Sequence, residues 1–392
     1  MKIGIMARTF DDPDGVGIAN RNLIDKMLEI DRETEYVVFH RSRSRLGMYR
    51  HYPNVRELVL RAPNKLVWDQ VMVPYYARRE RVDVIFHPKY TVPLLTTRPT
   101  VVVNQGLEYY TLPQFYPRLD LTYVKLFLPI YYRKATKVLA ISEDLRRLTE
   151  RYLRVPYDEI EIMYLAPGEH FFPRTDAREL GVFQQRHALP DDFIVTVTKA
   201  YQGGKLADRK NISGIVHSFM ALKGEFPTLK LVLAGEHCHQ FMTTVFGREV
   251  ADDPRFVYPG WIPQTDMPYL YSLAKALVFP SHSESFGLPL AEAMACGCPV
   301  VTSTGGSCSE VVGDAGLVID ATDQAGLLNA VRRVLADPQL RQQLQAKGLE
   351  RAKHFTWERS ARKVISVCQG VYETTRRRSD GLPRESSRLH AT

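Results

Sequence analysis

Apolar and polar positions along the 392-residue chain alternate between two periods. Short apolar runs are followed by longer stretches in which apolar positions return every three to four residues, as expected for parallel strands covered on both faces by amphipathic helices. In the first half, residues 2–6, 35–39, 82–86, 100–103 and 137–141 predict strands. In the second half, residues 193–198, 230–234, 255–258, 276–279, 299–302 and 316–319 do the same, and helical periods cover 322–336, 338–353 and 357–375. The expected class is α/β, with two Rossmann-like doubly wound sheets. A Pro- and Gly-bearing stretch at 165–173 interrupts the pattern. It predicts a first domain at 1–170, a second at 171–356, a closing helix at 357–375 and a basic tail at 376–392 too poor in apolar residues to order itself. A cleft onto which both sheets present their strand ends is the expected ligand site.

Composition sharpens this picture. With 45% hydrophobic and 24% charged residues the chain is globular, and its length exceeds what one core usually supports. No apolar run is long enough to cross a bilayer, and the apolar stretch at 3–7 is too short for a signal-peptide core, so the cytoplasm is the expected compartment. The five cysteines, odd in number and without paired spacing, predict buried reduced thiols. Residues 1–170 hold 26 Lys+Arg against 21 Asp+Glu, residues 376–392 hold 5 against 2, and the rest balances. Arg41, Arg43, Arg45 and Arg50 form one basic cluster, and the segment from Tyr109 to Lys137 mixes aromatics with cations. That segment suits an anionic membrane surface or an anionic acceptor, and it equally suits core aromatics beneath a solvated face. No nucleic-acid recognition motif accompanies the charge.

The chemistry concentrates in Glu284-Ser-Phe-Gly-Leu-Pro-Leu-Ala-Glu292. Gly287 supplies a turn, Pro289 suits a first helical turn, and residues 290–295 are good helix formers that stop at Gly297. This puts Glu284 on the loop before a helix and Glu292 one turn inside it, beside free N–H groups and a positive helix end that suit phosphate. An acid-favoured helix start with an ordinary surface glutamate satisfies the same pattern. Gly15 and Gly17 follow the first strand and permit close backbone approach, or merely turn the chain. Between 199 and 211, Lys199, Lys205, Arg209 and Lys210 follow a strand and precede a helix, where cations can neutralise a diphosphate, although the spacing is not that of a P-loop. Residues 304–310, with two glycines and three hydroxyls, either line the same pocket or turn the chain. His237-Cys238-His239 lacks the further ligands that a metal site needs.

Taken together, Arg209-Lys210-Asn211, Tyr258-Pro259-Gly260-Trp261, Phe279-Pro280-Ser281, the Glu284 to Glu292 segment, Pro299-Val-Val and Glu310-Val-Val-Gly-Asp-Ala-Gly316 resemble the retaining glycosyltransferases of family 4, which have the GT-B fold. The resemblance implies transfer of a sugar from a UDP- or GDP-sugar to a hydroxyl of a saccharide, lipid-linked or small-molecule acceptor, with no metal. It implies a closing helix that crosses back to the first domain, and a cytoplasmic enzyme, peripheral on the inner face of the membrane. It further implies that Glu292 holds the ribose and Glu284 the transferred sugar, with Arg209 and Lys210 on the diphosphate. The amides of Phe286, Gly287 and Leu288 would face the sugar or its phosphates, and Trp261 and Ile262 the base. Both glutamates are then binding groups, unlike the acid/base pair of a hydrolase. Where the family shows His-Asp after the strand that faces the donor sugar, this chain has Gln105-Gly106; a Gln there can still hydrogen-bond sugar hydroxyls, but it cannot take a proton as His can. That departure motivates one rival, a non-catalytic nucleotide-sugar-binding or membrane-adaptor protein of the same fold; a second, enzymatic rival is a GT-B phosphorylase or epimerase.

Overall fold

A computed structural model describes residues 1–12, 15–202, 205–206 and 208–380. The first sheet comprises β1 (Lys2–Met6), β2 (Glu35–His40), β3 (Val55–Val59), β4 (Val84–His87), β5 (Thr100–Asn104), β6 (Lys137–Ala140) and β7 (Ile160–Ile162). Its order is β3-β2-β1-β4-β5-β6-β7, and every pairing is parallel. The second domain contributes β8 (Phe193–Val197), a two-stranded antiparallel ribbon of β9 (Tyr201–Gln202) and β10 (Lys205–Leu206), then β11 (Lys230–Ala234), β12 (Phe256–Gly260), β13 (Leu277–Phe279), β14 (Val300–Ser303) and β15 (Gly316–Ile319). Its main sheet runs β12-β11-β8-β13-β14-β15, again parallel throughout.

Strands β3 and β7 were not expected from the sequence. Both lie at sheet edges, and β3 (Val-Arg-Glu-Leu-Val) is only partly buried, so it lacks the continuous apolar run that marks a central strand. Central strands such as β5 (Thr-Val-Val-Val-Asn) are buried at every position. Strand order reverses between β1 and β4 in the first sheet and between β8 and β13 in the second. In doubly wound folds ligands bind at the carboxyl ends beside such switch points.

The chain passes from one sheet to the other over residues 163–176 without regular structure. One apolar cluster joins the domains, running from Val101 and Val138 through Leu165 and Phe171 to Phe279 and Leu290. The closing helix, Trp357–Ser379, packs on the first-domain helix Gly15–Ile30, and Ser360 Oγ donates to the Tyr164 carbonyl at 2.6 Å. Residues 381–392, most of the expected basic tail, lie outside the described residues. All five cysteines are buried and free. Among the described residues no helix is long and apolar enough to cross a membrane.

Candidate active site

Arg209 and Lys210 are fixed by the residues on either side of them. Asp208 accepts backbone N–H bonds from Ile212 and, at 3.2 Å, Ser213, while Asn211 caps the helix Ile212–Ala221 by accepting the Gly214 N–H at 3.0 Å. Asn211 adopts left-handed backbone (φ 56°), which asparagine tolerates better than most residues. Such caps contribute about 1 kcal/mol each. Here they also hold the two cations at a helix start, and the Arg209 carbonyl accepts the His282 N–H at 2.9 Å and the Ser281 hydroxyl at 3.2 Å. The loop after β8 is thereby joined to the loop after β13.

Glu284 lies on that second loop and forms a buried ion pair with Lys210, while accepting the Ser281 hydroxyl at 2.6 Å. The Lys210 ammonium also sits 4.6 Å from the centre of the Phe279 ring. Burial alone would raise the carboxyl pKa of Glu284, but the charges of Lys210 and Arg209 outweigh it and hold the group below its ordinary range. Burial likewise loosens the proton of Lys210, aided by Arg209 and opposed by Glu284.

The glycines of the segment after β14 pack directly against the backbone of the loop that carries Glu284. A Cβ on Gly306 (φ 62°) would stand 2.2 Å from the Glu284 carbonyl oxygen, and one on Gly305 would stand 2.0 Å from that of Ser281. Ser307 donates its N–H and hydroxyl to the Glu284 carbonyl at 3.0 and 3.1 Å. Only glycines allow the two backbones so close.

The helix Leu288–Ala295 begins at Gly287, whose φ of 81° suits glycine. The N–H groups of Phe286, Gly287 and Leu288 meet no acceptor among the described residues and lie at a positive helix end. The Phe286 ring packs 5.5 Å from that of Phe355. Glu292 is buried one turn inside the helix, accepting the Tyr271 hydroxyl at 3.2 Å. No cation among the described residues offsets it, and burial pushes its pKa up to about 7, against the hydrogen bonds from Tyr271 and Gln264. Trp261 is 65% exposed just past β12, whereas Ile262 is buried.

The remaining predicted positions fall elsewhere. Lys199 is exposed and lies 3.8 Å from Glu236. Lys205 belongs to β10, and its side chain is outside the described residues. Gly15 has open space around it, while Gly17 packs against the chain itself, since a Cβ there would stand 2.0 Å from the Asp12 carbonyl oxygen. Gln105 is buried, and its amide nitrogen donates to Asn20 Oδ1 at 2.5 Å and the Pro88 carbonyl at 2.7 Å. That amide group braces the first domain from within, so the donor-facing role expected of Gln105 is not one its nitrogen can fill.

Several functional candidates escaped the sequence reading. Glu108 crosses from the first domain to Arg209 (3.3 Å) and accepts the Ser285 hydroxyl at 2.9 Å. Burial would weaken Arg209's hold on its proton, but Glu284 and Glu108 together strengthen it. Ser142 Oγ donates to the Ser285 carbonyl at 2.7 Å, and Glu310 accepts the backbone N–H groups of Glu143 (2.7 Å) and Asp144 (3.2 Å) at the start of the first-domain helix Glu143–Leu153. The domains therefore meet along hydrogen bonds that flank the loop carrying Glu284. On the first-domain side a cavity of about 700 Å³ opens at the carboxyl ends of β1, β4 and β5, lined among others by Thr9, Asp12, Lys89, Tyr90, Tyr109 and Tyr131. Rings and short polar groups together suit sugar faces and hydroxyls. No local spacing marks this cavity, because its walls come from five separate segments.

Comparison with known proteins supplies the wider context. Residues 13–166 match the model of Glycosyltransferase Family 4, and residues 193–351 match that of Glycosyl transferases group 1. The chain is 30% identical over 355 residues to the O-antigen chain mannosyltransferase B of Escherichia coli, with 88% of each chain covered. Sucrose-phosphate synthase from Thermosynechococcus elongatus superposes with a TM-score of 0.74 at 19% identity, covering 95% of this chain and all of that one. The Anabaena protein HepE, solved in complex with UDP and glucose, superposes with a TM-score of 0.71 at 16% identity, covering 94% of this chain and all of that one. These likenesses establish the GT-B architecture of two facing Rossmann-like domains.

Proposed function

The chain belongs to the family 4 glycosyltransferases, and on that premise we propose that it moves a mannosyl residue from a nucleoside-diphosphate donor to a saccharide hydroxyl, with retention, during polysaccharide assembly. The observation that carries this reading is the buried Lys210–Glu284 pair beside Arg209, set against the free amides of residues 286–288. Fixed cations and preorganised N–H donors are what a departing diphosphate requires, and they supply it without reorganisation during the reaction. In this reading no metal is needed at the diphosphate.

Arg209 and Lys210 take the diphosphate, and the amides of Phe286, Gly287 and Leu288 face the phosphates or the sugar. Glu284, already engaged by Lys210 and Ser281, orients sugar hydroxyls and leaves no free carboxylate placed as a base. Glu292 accepts from the ribose, and the exposed Trp261 ring covers the base, with Ile262 behind it. The acceptor enters the first-domain cavity and attacks on the face that the diphosphate leaves, with no sugar bound covalently to the enzyme. The mannosyl choice rests on the Escherichia coli mannosyltransferase, and the nucleotide on the UDP-bound neighbour.

The test is incubation of the purified protein with GDP-mannose, UDP-glucose and ADP-glucose, with mannooligosaccharide acceptors, in the presence and absence of EDTA. Transfer that survives EDTA, giving a product whose anomeric coupling matches the donor's, supports the reading. Tight nucleotide binding with neither transfer nor slow donor hydrolysis would favour the non-catalytic rival.

A further inference from the structure

We infer that Glu108 is the positioning carboxylate through which the first domain governs Arg209, and that it delivers from position 108 a carboxylate that Gly106 cannot supply. A Cβ built on Gly106 would lie 2.3 Å from Glu108 Oε2 and 2.9 Å from Ser285 Oγ. The Glu108 carboxylate thus occupies the space into which a side chain at 106 would project. It is the position where the family resemblance places the acid of His-Asp. The two changes compensate in space: the glycine removes a side chain, and the glutamate two residues on folds back over it.

From that place one Glu108 oxygen, Oε1, holds two loops of the second domain at once, accepting from Arg209 and from the Ser285 hydroxyl. Tyr109, its neighbour in the short helix Glu108–Thr111, lines the acceptor cavity. One turn of backbone therefore touches both substrates' sites. A negative charge beside Arg209 competes with a diphosphate for the guanidinium, so Glu108 does not promote ground-state binding. Its contribution is orientation: it fixes the fork of Arg209 and draws the acceptor domain onto the donor loop, effects that appear in turnover.

This inference rests on the donor reading of Arg209. The experiment therefore pairs GDP and UDP binding, measured by calorimetry, with GDP-mannose turnover by the full chain. Arg209→Ala should weaken nucleotide binding; if it does not, the donor reading fails. Glu108→Gln should bind nucleotide as tightly as wild type or more so, while turnover falls about tenfold or more. Gly106→Asp alone should crowd Glu108 and lose activity, Glu108→Ser should lose it as well, and the double variant should regain a large share of turnover. With Arg209→Ala behaving as expected, the inference is overturned if Glu108→Gln turns over within about twofold of wild type, if it loses nucleotide affinity in parallel with turnover, or if the double variant is no better than the worse single one.

An independent observation concerns the outside of the same domain. Along the helix Arg118–Lys134, Leu119 is 86% exposed, Leu126 59%, Tyr123 43% and Ile130 37%. Their spacing of four, three and four residues puts them on one stripe, while Leu128, Tyr131 and Tyr132 face the core. Arg118, Lys125, Arg133 and Lys134 flank the stripe as exposed cations, against the single acid Asp120. An apolar row with basic flanks complements an anionic lipid surface, with the rings and leucines at headgroup depth. We propose that such a bilayer is its occupant. Tyr123 also lines the acceptor cavity, so docking would set the cavity mouth at the membrane.

The full chain should cosediment with vesicles of phosphatidylglycerol and phosphatidylcholine, less so in high salt, and little with phosphatidylcholine alone. Leu119→Glu combined with Leu126→Glu should abolish binding and leave Tm unchanged, since both positions are exposed. Absence of binding to the anionic vesicles, binding indifferent to the double variant, or a dimer in light scattering that the double variant dissolves would each overturn the proposal.

Discussion

At the cleft-facing edge of the second domain, charge is packed among closely apposed, hydrogen-bonded loops. Lys210 and Glu284 are buried against each other, Asn211 and Asp208 hold one loop, and Gly305 and Gly306 press on the other. At the facing edge of the first domain the same kind of strand ends open into a cavity of about 700 Å³ walled by tyrosines and by scattered charged groups, among them Asp12, Lys65, Lys89 and the Arg8–Asp69 pair. On the proposed function, the difference follows from what each edge would bind. A diphosphate is small, invariant and doubly charged, so its site gains from fixed donors that need no rearrangement. A saccharide acceptor is larger and neutral over most of its surface, and it is met by rings and dispersed hydrogen-bonding groups.

The contrast breaks most sharply at Lys210. Lys210→Ala leaves Glu284 buried without its cation, which should cost about 3–5 kcal/mol of stability and reduce turnover by about a hundredfold or more. Thermal unfolding and steady-state kinetics read the two effects. Lys210→Arg, which keeps the charge, should recover more stability than turnover, because the buried site was shaped around a compact ammonium. Next in size is Gly306→Ala. The added methyl group meets the Glu284 carbonyl oxygen at 2.2 Å and the residue must hold φ 62°, so loss of about 2 kcal/mol and a marked drop in donor affinity are expected. Gly15→Ala, in open space, should change little on either measure.

Glu292 tests the donor edge by pH. Its folded pKa of about 7 lies above the ordinary carboxyl value, so the folded state holds this proton more tightly than the unfolded one. The group's contribution to stability is greatest in acid and falls as pH rises from the ordinary carboxyl range through about 7. Ribose hydroxyls donate to the ionised form, so the donor KM should rise as pH drops below about 7. Glu292→Gln should raise KM several-fold and abolish that dependence. At the acceptor edge, Tyr109→Ala should raise the acceptor KM about three- to tenfold and leave the donor KM alone.

The two edges were also unequally legible in the sequence. Donor groups sit close together along the chain, at 209–211 and 284–292, and each run carries its own turn and cap residues, so spacing and chemistry could be read at once. The central strands were legible for the same reason, whereas β3 and β7 were missed because edge strands need few apolar residues. The acceptor cavity was invisible because no segment contributes more than a few of its walls. Glu108 was passed over although it stands two residues beyond the noted Gln105-Gly106 departure. A carboxylate folding back over a glycine is a tertiary fact, and local patterns do not encode it. Residues 304–310 illustrate the opposite case: their glycines drew notice as a possible pocket lining, and packing assigns them to bracing Glu284.

The separation of donor chemistry from acceptor recognition is tested most directly by calorimetric binding of GDP and UDP to the wild type, Lys210→Ala and Tyr109→Ala, with folding of each checked by Tm. The account predicts that nucleotide binding falls by about a hundredfold or more in Lys210→Ala and is unchanged in Tyr109→Ala. Nucleotide affinity that survives in folded Lys210→Ala, or that falls equally in Tyr109→Ala, would contradict it.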